Sequence, residues 1–174
     1  VAGDIGPIGA LLRPLGTLSF DEAYDLFAEE VRAGVDAGVD LFIIETMTDL
    51  AEIKAAVLAC RENSDLPVFA TMTFEEDGRT FLGTSPEVAA ITLDAIGADV
   101  LGINCSQGPA ELRGLAARML TVTDKPVMVQ ANAGLPHVDD DGNTVFDIQA
   151  PEYAKAVAGM IEDGVSVVGG CCGT

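Results

Sequence analysis

The residues with the clearest chemical potential are cysteines, and three of the four lie at the ends of apolar segments. Cys105 ends the segment DVLGINC, and Cys171 and Cys172 are adjacent in the C-terminal segment VSVVGGCCGT. Neighbouring residues of an extended strand point to opposite faces, so two adjacent cysteines can act together only on an unusual backbone. Glycine permits such a backbone because it adopts positive φ at little cost. The pair is flanked by Gly169, Gly170 and Gly173.

Three thiolates at one position would form a metal site, and zinc is the ion that this ligand set favours. A zinc ion with three protein ligands keeps one position open, which suits the binding of a further thiol as a thiolate at neutral pH. The residues alone leave two alternatives open. The three cysteines could be unrelated buried residues, or Cys171 and Cys172 could form a vicinal disulfide.

The fourth cysteine is predicted to be structural. It continues an apolar stripe at helical spacing, formed by Leu50, Ile53, Val57 and Cys60. Because the stripe is typical of a helix face turned to the core, we expect Cys60 to be an inert core residue rather than a fourth metal ligand.

Alternating strands and helices must position these cysteines. Five short apolar runs are typical of buried strands, namely DLFIIET, PVFATMTF, DVLGINCS, PVMVQANAG and VSVVGGCC. Runs of this kind, without polar alternation, are characteristic of parallel strands covered on both faces. Helix starts lie between them: Ser19 and Glu22 form a capping box, and Ser85 precedes Pro86. The alternation predicts βαβ units and a parallel sheet.

A repeat brings two of the cysteines into register. The strand entries repeat after 59 residues, as the pairs Gly38/Gly97 and Pro67/Pro126 show. This spacing aligns Thr46 with Cys105, and a further step of 67 residues aligns Cys105 with Cys172. In a (β/α)8 barrel, alternate strands contribute to the same layer and active sites form at the carboxyl ends of the strands. We therefore expect Cys105 and Cys172 to face one point at the top of such a barrel, with Cys171 alongside.

The number of strands predicts an incomplete barrel. The opening segment VAGDIGP is typical of one more strand end, which brings the total to six, whereas a closed barrel of this type has eight. We therefore predict an α/β fold, a (β/α)8 TIM barrel in which residues 1–174 form a single partial domain. The two missing βα units are expected to be the first two.

Composition argues against several classes of function. The 174 residues carry a formal net charge of −19, so nucleic acid and anionic membrane surfaces are poor partners. No apolar run approaches the roughly 20 residues that span a bilayer. Four cysteines do not suggest a disulfide scaffold, so a reducing, cytoplasmic location is expected.

Six motifs together resemble the homocysteine S-methyltransferase family. They are GDIGP, IETM, MTF followed by GRT, GINCSQGP, NAGLP and GGCCGT. The joint occurrence of NCS, NAGLP and GGCCGT in this order is highly specific, and the resemblance covers the whole chain. It is strongest to the N-terminal domain of cobalamin-dependent methionine synthase.

The resemblance implies roles for five residues. Cys105, Cys171 and Cys172 would bind zinc, with the homocysteine sulfur as the fourth ligand. Glu45 would bind the substrate's amino group, which fits the need of a buried ammonium for an ionised partner. Asn132 would lie close to the metal, where its carbonyl could cover the open position in the absence of substrate. From the residues alone, a glutamate bonded to neighbouring backbone and a turn asparagine remain the alternatives.

The resemblance also implies a reaction, which is zinc-dependent activation of the homocysteine thiol for S-methylation to methionine. The expected donor is methylcobalamin, supplied from methyltetrahydrofolate, with corrinoid- and folate-binding domains as partners. The alternatives are a betaine- or S-methylmethionine-dependent enzyme and a non-catalytic zinc-binding fragment. The family opens with an Asp-Gly motif after its first strand and an Asn-Thr motif after its second, which help to hold the substrate's amino-acid end. Neither of these opening motifs is present in residues 1–174.

Overall fold

A six-stranded parallel sheet dominates the computed structural model, which describes all of residues 1–174. The strands are β1 Ala2–Ile5, β2 Leu41–Met47, β3 Val68–Met72, β4 Val100–Asn104, β5 Val127–Ala131, β6 Pro136–Val138, β7 Thr144–Phe146 and β8 Val167–Gly170. The helices are α1 Phe20–Ala37, α2 Leu50–Asn63, α3 Pro86–Ala95, α4 Pro109–Leu120 and α5 Ala150–Glu162. The sheet order is β1-β2-β3-β4-β5-β8, with every neighbouring pair parallel. This curled half-barrel confirms the predicted incomplete (β/α)8 fold and its six strands.

The helix signals in the sequence are confirmed where they were clearest. Ser19 and Glu22 form both bonds of the capping box at the start of α1, and Ser85 accepts a hydrogen bond from the Val88 N–H at the start of α3. Gly38 ends α1 in the left-handed conformation, with φ 80°. None of the helices has the length and apolar composition needed to cross a bilayer.

The two faces of the sheet differ in chemistry. The face toward the helices is apolar, and its buried residues include Phe42, Ile44, Ala70, Met72, Leu101, Ile103, Val127 and Val129. Because side chains alternate along a strand, the residues between these lie on the inner, concave face of the half-barrel. That concave face carries polar groups on five strands, namely Asp4, Glu45, Thr71, Asn104 and Gln130. The polar residues therefore converge where the strands end.

A short antiparallel hairpin, β6–β7, interrupts the βα alternation between β5 and α5. Its strands have three residues each, and its turn contains Gly142 at φ 84°. The ring of Phe146 lies so close to Gly173 that a Cβ at this glycine would overlap it. Sequence analysis did not predict the hairpin, because strands of three residues are too short to leave a periodic pattern.

Candidate metal centre

Three thiols meet at the carboxyl ends of the strands, a region called the rim below. Cys105 follows β4, and Cys171 and Cys172 follow β8; the three Sγ atoms all lie within 4.8 Å of one another. The Cys105 and Cys172 sulfurs are 3.8 Å apart. Zinc–sulfur bonds of about 2.3 Å in a tetrahedron place two sulfurs about 3.8 Å apart, so the pair has the spacing of zinc ligands. All four cysteines of the chain are free thiols.

An unusual backbone brings Cys105 onto the rim. Asn104 faces the concave side, so a continued strand would turn Cys105 toward the helices. Instead, Cys105 and Ser106 both adopt left-handed conformations, with φ 62° and 65°. This conformation is uncommon for residues other than glycine and costs of order 1 kcal/mol each. The turn is fixed by backbone hydrogen bonds from the Cys105 N–H to Gln130 and from the Gln107 N–H to Cys105.

The glycines beside the cysteine pair were expected to provide positive φ angles, and this holds for only one of them. Only Gly173 has a positive φ, 82°. At Gly170 a Cβ would overlap Thr174, and at Gly169 it would lie 3.2 Å from Cγ of Gln130. The prediction of conformational freedom is therefore wrong for Gly169 and Gly170, where the absence of a side chain serves close packing.

Asn132 lies beside the cysteine pair and holds its backbone. The Cys172 N–H donates to Asn132 Oδ1 at 3.0 Å, and Asn132 is only 4% exposed. Two backbone bonds complete the attachment, from the Cys171 N–H to Ala131 and from the Ala133 N–H to Cys172. The side-chain oxygen of Asn132, which was expected near the metal, is thus bonded to the backbone of Cys172. Covering of an open metal position by Asn132 stays a prediction.

Asn104 links the cysteines to the centre of the sheet, and sequence analysis missed it. The residue is fully buried, and its Oδ1 accepts hydrogen bonds from the Thr46 N–H at 2.7 Å and from the Thr71 hydroxyl at 2.8 Å. Its Nδ2 donates to the Thr46 hydroxyl at 2.8 Å and lies 4.0 Å from Cys171 Sγ. The only sequence signal was its position directly before Cys105. These contacts join β2, β3 and β4 beneath the thiols.

The electrostatics of the thiols fit a cation site. Burial raises the pKa of Cys171 to about 12, and the nearby charge of Cys105 contributes in the same direction. The pKa of Cys172 is also raised, first by burial and then by its hydrogen bond with Cys105. Metal ligation requires thiolates, so a bound cation would supply the stabilisation that this cluster lacks. Donor type, spacing and electrostatics therefore suit zinc.

Cys60 behaves as the sequence predicted. It is 0% exposed in the cluster of core residues, and burial raises the pKa of its thiol to about 12. It lies on α2, away from the rim.

Glu45 lies on the concave face near the end of β2 and is half-buried. Burial raises the pKa of its carboxyl group, and the negative charge of Asp4 raises it further, while a hydrogen bond from Gln130 acts in the opposite direction. The environment therefore makes the charged carboxylate less favourable than it is in water, and a cation bound nearby would offset this cost. This is the environment expected of a group that binds an ammonium.

Two cavities flank the metal centre without containing it. One, of about 500 Å³, is lined mainly by apolar residues of the hairpin, α5 and the C-terminus, including Phe146, Tyr153 and Gly173. The other, of about 480 Å³, lies between Gln107 and Ile148. Neither is lined by the three cysteines or Glu45. The candidate substrate site is therefore the concave face at the rim.

Comparison with known proteins identifies the family. The family model described as homocysteine S-methyltransferase matches residues 1–174, the whole chain. The chain belongs to the homocysteine S-methyltransferase family. Among its relatives, the methionine synthases of Mycobacterium leprae and Mycobacterium tuberculosis are each 37% identical over 180 residues. The alignments cover 100% of this chain and 15% of each mycobacterial protein, so the chain spans a small part of these relatives.

Solved structures confirm the fold of this homocysteine S-methyltransferase family member. The homocysteine methyltransferase of Escherichia coli superposes with a TM-score of 0.77 in its apo form, at 23% identity, and with 0.77 in its metallated form, at 24% identity. Each match covers 100% of this chain and 57% of the Escherichia coli chain. The carboxyl transferase domain of Rhizobium etli pyruvate carboxylase gives a TM-score of 0.63 at 16% identity, over 98% of this chain and 27% of that chain. The common element is the barrel.

Proposed function

We propose that residues 1–174 form the homocysteine-binding domain of a methyltransferase that makes methionine, and that Cys105, Cys171 and Cys172 hold a zinc ion. The observation that carries the proposal is the sulfur geometry, with three Sγ atoms within 4.8 Å and one pair at 3.8 Å. Membership of the homocysteine S-methyltransferase family over the whole chain supports the choice of substrate.

Zinc at this site would supply a positive charge that lowers the pKa of the substrate thiol, so that homocysteine is held as a reactive thiolate at neutral pH. The protein's own residues provide positioning. Asn132 holds the backbone of Cys172, Asn104 Nδ2 lies 4.0 Å from the Cys171 sulfur, and Glu45 binds the ammonium group of homocysteine. Orienting both ends of the amino acid places its sulfur at the rim, where positioning contributes to the rate.

The transfer itself is a nucleophilic displacement. The thiol gives its proton to solvent, and the resulting thiolate attacks the methyl carbon of the donor. A carbon–sulfur bond forms as the bond between methyl and donor breaks, and the electron pair of that bond stays with the donor. The products are methionine and the demethylated donor.

The proposed donor is methylcobalamin, recharged from methyltetrahydrofolate on corrinoid- and folate-binding domains outside residues 1–174. The 37% identity to methionine synthases supports this choice over betaine or S-methylmethionine. The four free thiols support a reducing, cytoplasmic location. Incubation of the full-length, zinc-loaded protein with homocysteine and each donor separately should give methionine only with methylcobalamin. Methionine from betaine or S-methylmethionine would assign the alternative enzyme, and none from any donor would assign a non-catalytic zinc protein.

Calorimetry tests thiol activation directly. Free thiols have a pKa of about 8.5, so most homocysteine is protonated near pH 7, and binding as thiolate should release close to one proton per molecule. Titrations in buffers of different ionisation enthalpy report this number. Homoserine, which has a hydroxyl in place of the thiol, is the matched control and should bind far more weakly. Binding without proton release, or equal binding of homoserine, would remove the thiol-activation proposal.

A further inference from the structure

Gln130 carries the one buried side-chain nitrogen or oxygen atom in this structure that has no hydrogen-bond partner, its Oε1. The residue lies on β5 between Val129 and Ala131, which are both buried against the helices. Gln130 therefore points to the concave face. Its backbone carbonyl accepts the hydrogen bond from the Cys105 N–H at 2.9 Å. The unpartnered oxygen thus belongs to a concave-face residue whose backbone is bonded directly to Cys105.

Glu45 determines the orientation of the Gln130 amide. The Gln130 side chain acts on the Glu45 carboxyl group as a donor that lowers its pKa, and only Nε2 of the amide can donate. Rotating the amide would place its oxygen against the carboxylate, so Nε2 rather than Oε1 is the amide atom next to Glu45. Gly169 makes room for this arrangement, since a Cβ there would lie 3.2 Å from Cγ and 3.8 Å from Nε2 of Gln130.

Neither Gln130 nor Glu45 forms an ion pair or hydrogen bond with a basic side chain. Asp4, on the neighbouring edge strand, acts on Glu45 through its charge. The ion pairs of the protein all involve other residues. Buried acceptors are normally paired, and an unpaired one is unfavourable. A group with a positive charge and several N–H donors would satisfy both Oε1 and the carboxylate, and a primary ammonium has three such donors.

We propose that Gln130 Oε1 and the Glu45 carboxylate together bind the α-ammonium group of the amino-acid substrate. This deepens the proposed function and rests on it. Nε2 of Gln130 holds Glu45 in place while the site is empty, and Oε1 accepts an N–H of the ammonium when the substrate binds. Gln130 is then a specificity residue, because it distinguishes homocysteine from thiols that lack an amino group.

Two thiols separate this role from simple structural support. L-homocysteine and 4-mercaptobutanoate share the thiol, the chain length and the carboxylate, but only the first has an ammonium. Binding of both to the full-length, zinc-loaded protein is measured by calorimetry for wild type and Gln130→Met. Gln130→Met should weaken homocysteine binding about tenfold, equivalent to about 1.4 kcal/mol, and leave 4-mercaptobutanoate unchanged. Gln149→Met, at the exposed start of α5, is the matched control and should change neither.

Three results for Gln130→Met would contradict the binding of the ammonium by Oε1. Equal weakening of both thiols, unchanged homocysteine binding, or loss of zinc from Gln130→Met would each show that Oε1 does not bind the ammonium. Gln130→Ala provides the same comparison if the methionine variant does not fold. Failure of the proposed function itself has a different signature, because wild type would then bind neither thiol with proton release.

Discussion

The two halves of the candidate metal centre rest on very different parts of the fold. Cys105 follows β4, whose five residues are all buried at the centre of the sheet. Cys171 and Cys172 follow β8, an edge strand with a single neighbour, whose residues are all at least partly exposed. Asn104 joins three strands beneath the first half, whereas the second half depends on a few bonds to Ala131, Asn132 and Ala133.

This difference indicates how a metal ion would act on the structure. The central half is held by the fold itself, so its thiol is in place before a metal binds. The edge half has fewer contacts and gains most from a ligand that connects it to the centre. Metal binding should therefore stabilise β8 more than β4, since binding free energy becomes folding free energy for the loosely held element. The following experiments test this contrast.

Removing the central thiol should have the largest effect. Cys105→Ser deletes one of three ligands and should weaken zinc binding by more than about 100-fold, beyond the effect of losing an outer support. Chelator competition measures the affinity. Cys60→Ser is the control, because Cys60 lies in the core. The zinc affinity of this variant should equal that of wild type. A requirement for Cys60 would contradict the ligand assignment.

Breaking the network beneath the central half should affect the fold. Asn104→Ala leaves the partly buried Thr46 N–H and the buried Thr71 hydroxyl without their acceptor and should lower the free energy of unfolding by about 3 kcal/mol. Urea unfolding of the zinc-free protein measures this change. Asn143→Ala, in the exposed turn of the hairpin, should stay within about 0.5 kcal/mol of wild type. Equal effects of the two substitutions would refute the structural role of Asn104.

Loosening the edge half should affect metal binding more than folding. Asn132→Ala removes the acceptor of the Cys172 N–H and should weaken zinc binding about tenfold, as expected for a group that orients a ligand. Its effect on unfolding of the zinc-free protein should be smaller than that of Asn104→Ala. Parallel chelator competition and urea unfolding separate the two quantities. The contrast between the halves disappears if Asn132→Ala destabilises the zinc-free protein as much as Asn104→Ala.

The pH dependence of homocysteine binding should report the carboxyl group of Glu45. Burial and the charge of Asp4 raise its pKa above the ordinary value of a glutamate, and the ammonium requires the carboxylate form. As the pH falls through this raised pKa, wild type should lose its affinity advantage over Glu45→Gln, which is greatest at neutral pH. The free energy of unfolding should depend on pH in the opposite direction. Protonated Glu45 contributes stability at low pH, and this contribution is lost as the pH rises through the raised pKa. Zinc content should be unchanged in Glu45→Gln, and an affinity ratio independent of pH would exclude Glu45 as the ammonium partner.

The smallest effect is expected at Tyr153, which ties the edge strand to its neighbour. Its hydroxyl lies 2.7 Å from the carbonyl oxygen of Gly169 on β8 and 3.0 Å from that of Ala131 on β5. Tyr153→Phe should lower the free energy of unfolding by about 1 kcal/mol. Hydrogen exchange should show faster opening of β8 with little change in β4. Uniform acceleration across the sheet would contradict a local tie.

Elements and repeats were predictable because their signals are local. Capping residues and apolar runs located the strands and helices, and the 59-residue repeat aligned Thr46 with Cys105. These two residues adopt nearly the same left-handed conformation, φ 63° and 62°, although Thr46 lies within an irregular part of β2 and Cys105 directly follows β4. The same register predicted that Cys105 and Cys172 would meet, and their sulfurs lie 3.8 Å apart.

The sequence by itself therefore determined the half-barrel, the capped helices and the convergence of three cysteines at the rim. Only the tertiary structure decided that Asn104 connects Thr46, Thr71 and Cys171, that Asn132 holds the backbone of Cys172, and that one oxygen of Gln130 is left without a partner. The physical reason is distance along the chain. A cap or an apolar run depends on residues a few positions apart, whereas the bond from Thr46 to Asn104 joins residues 58 positions apart that become neighbours only when the strands align.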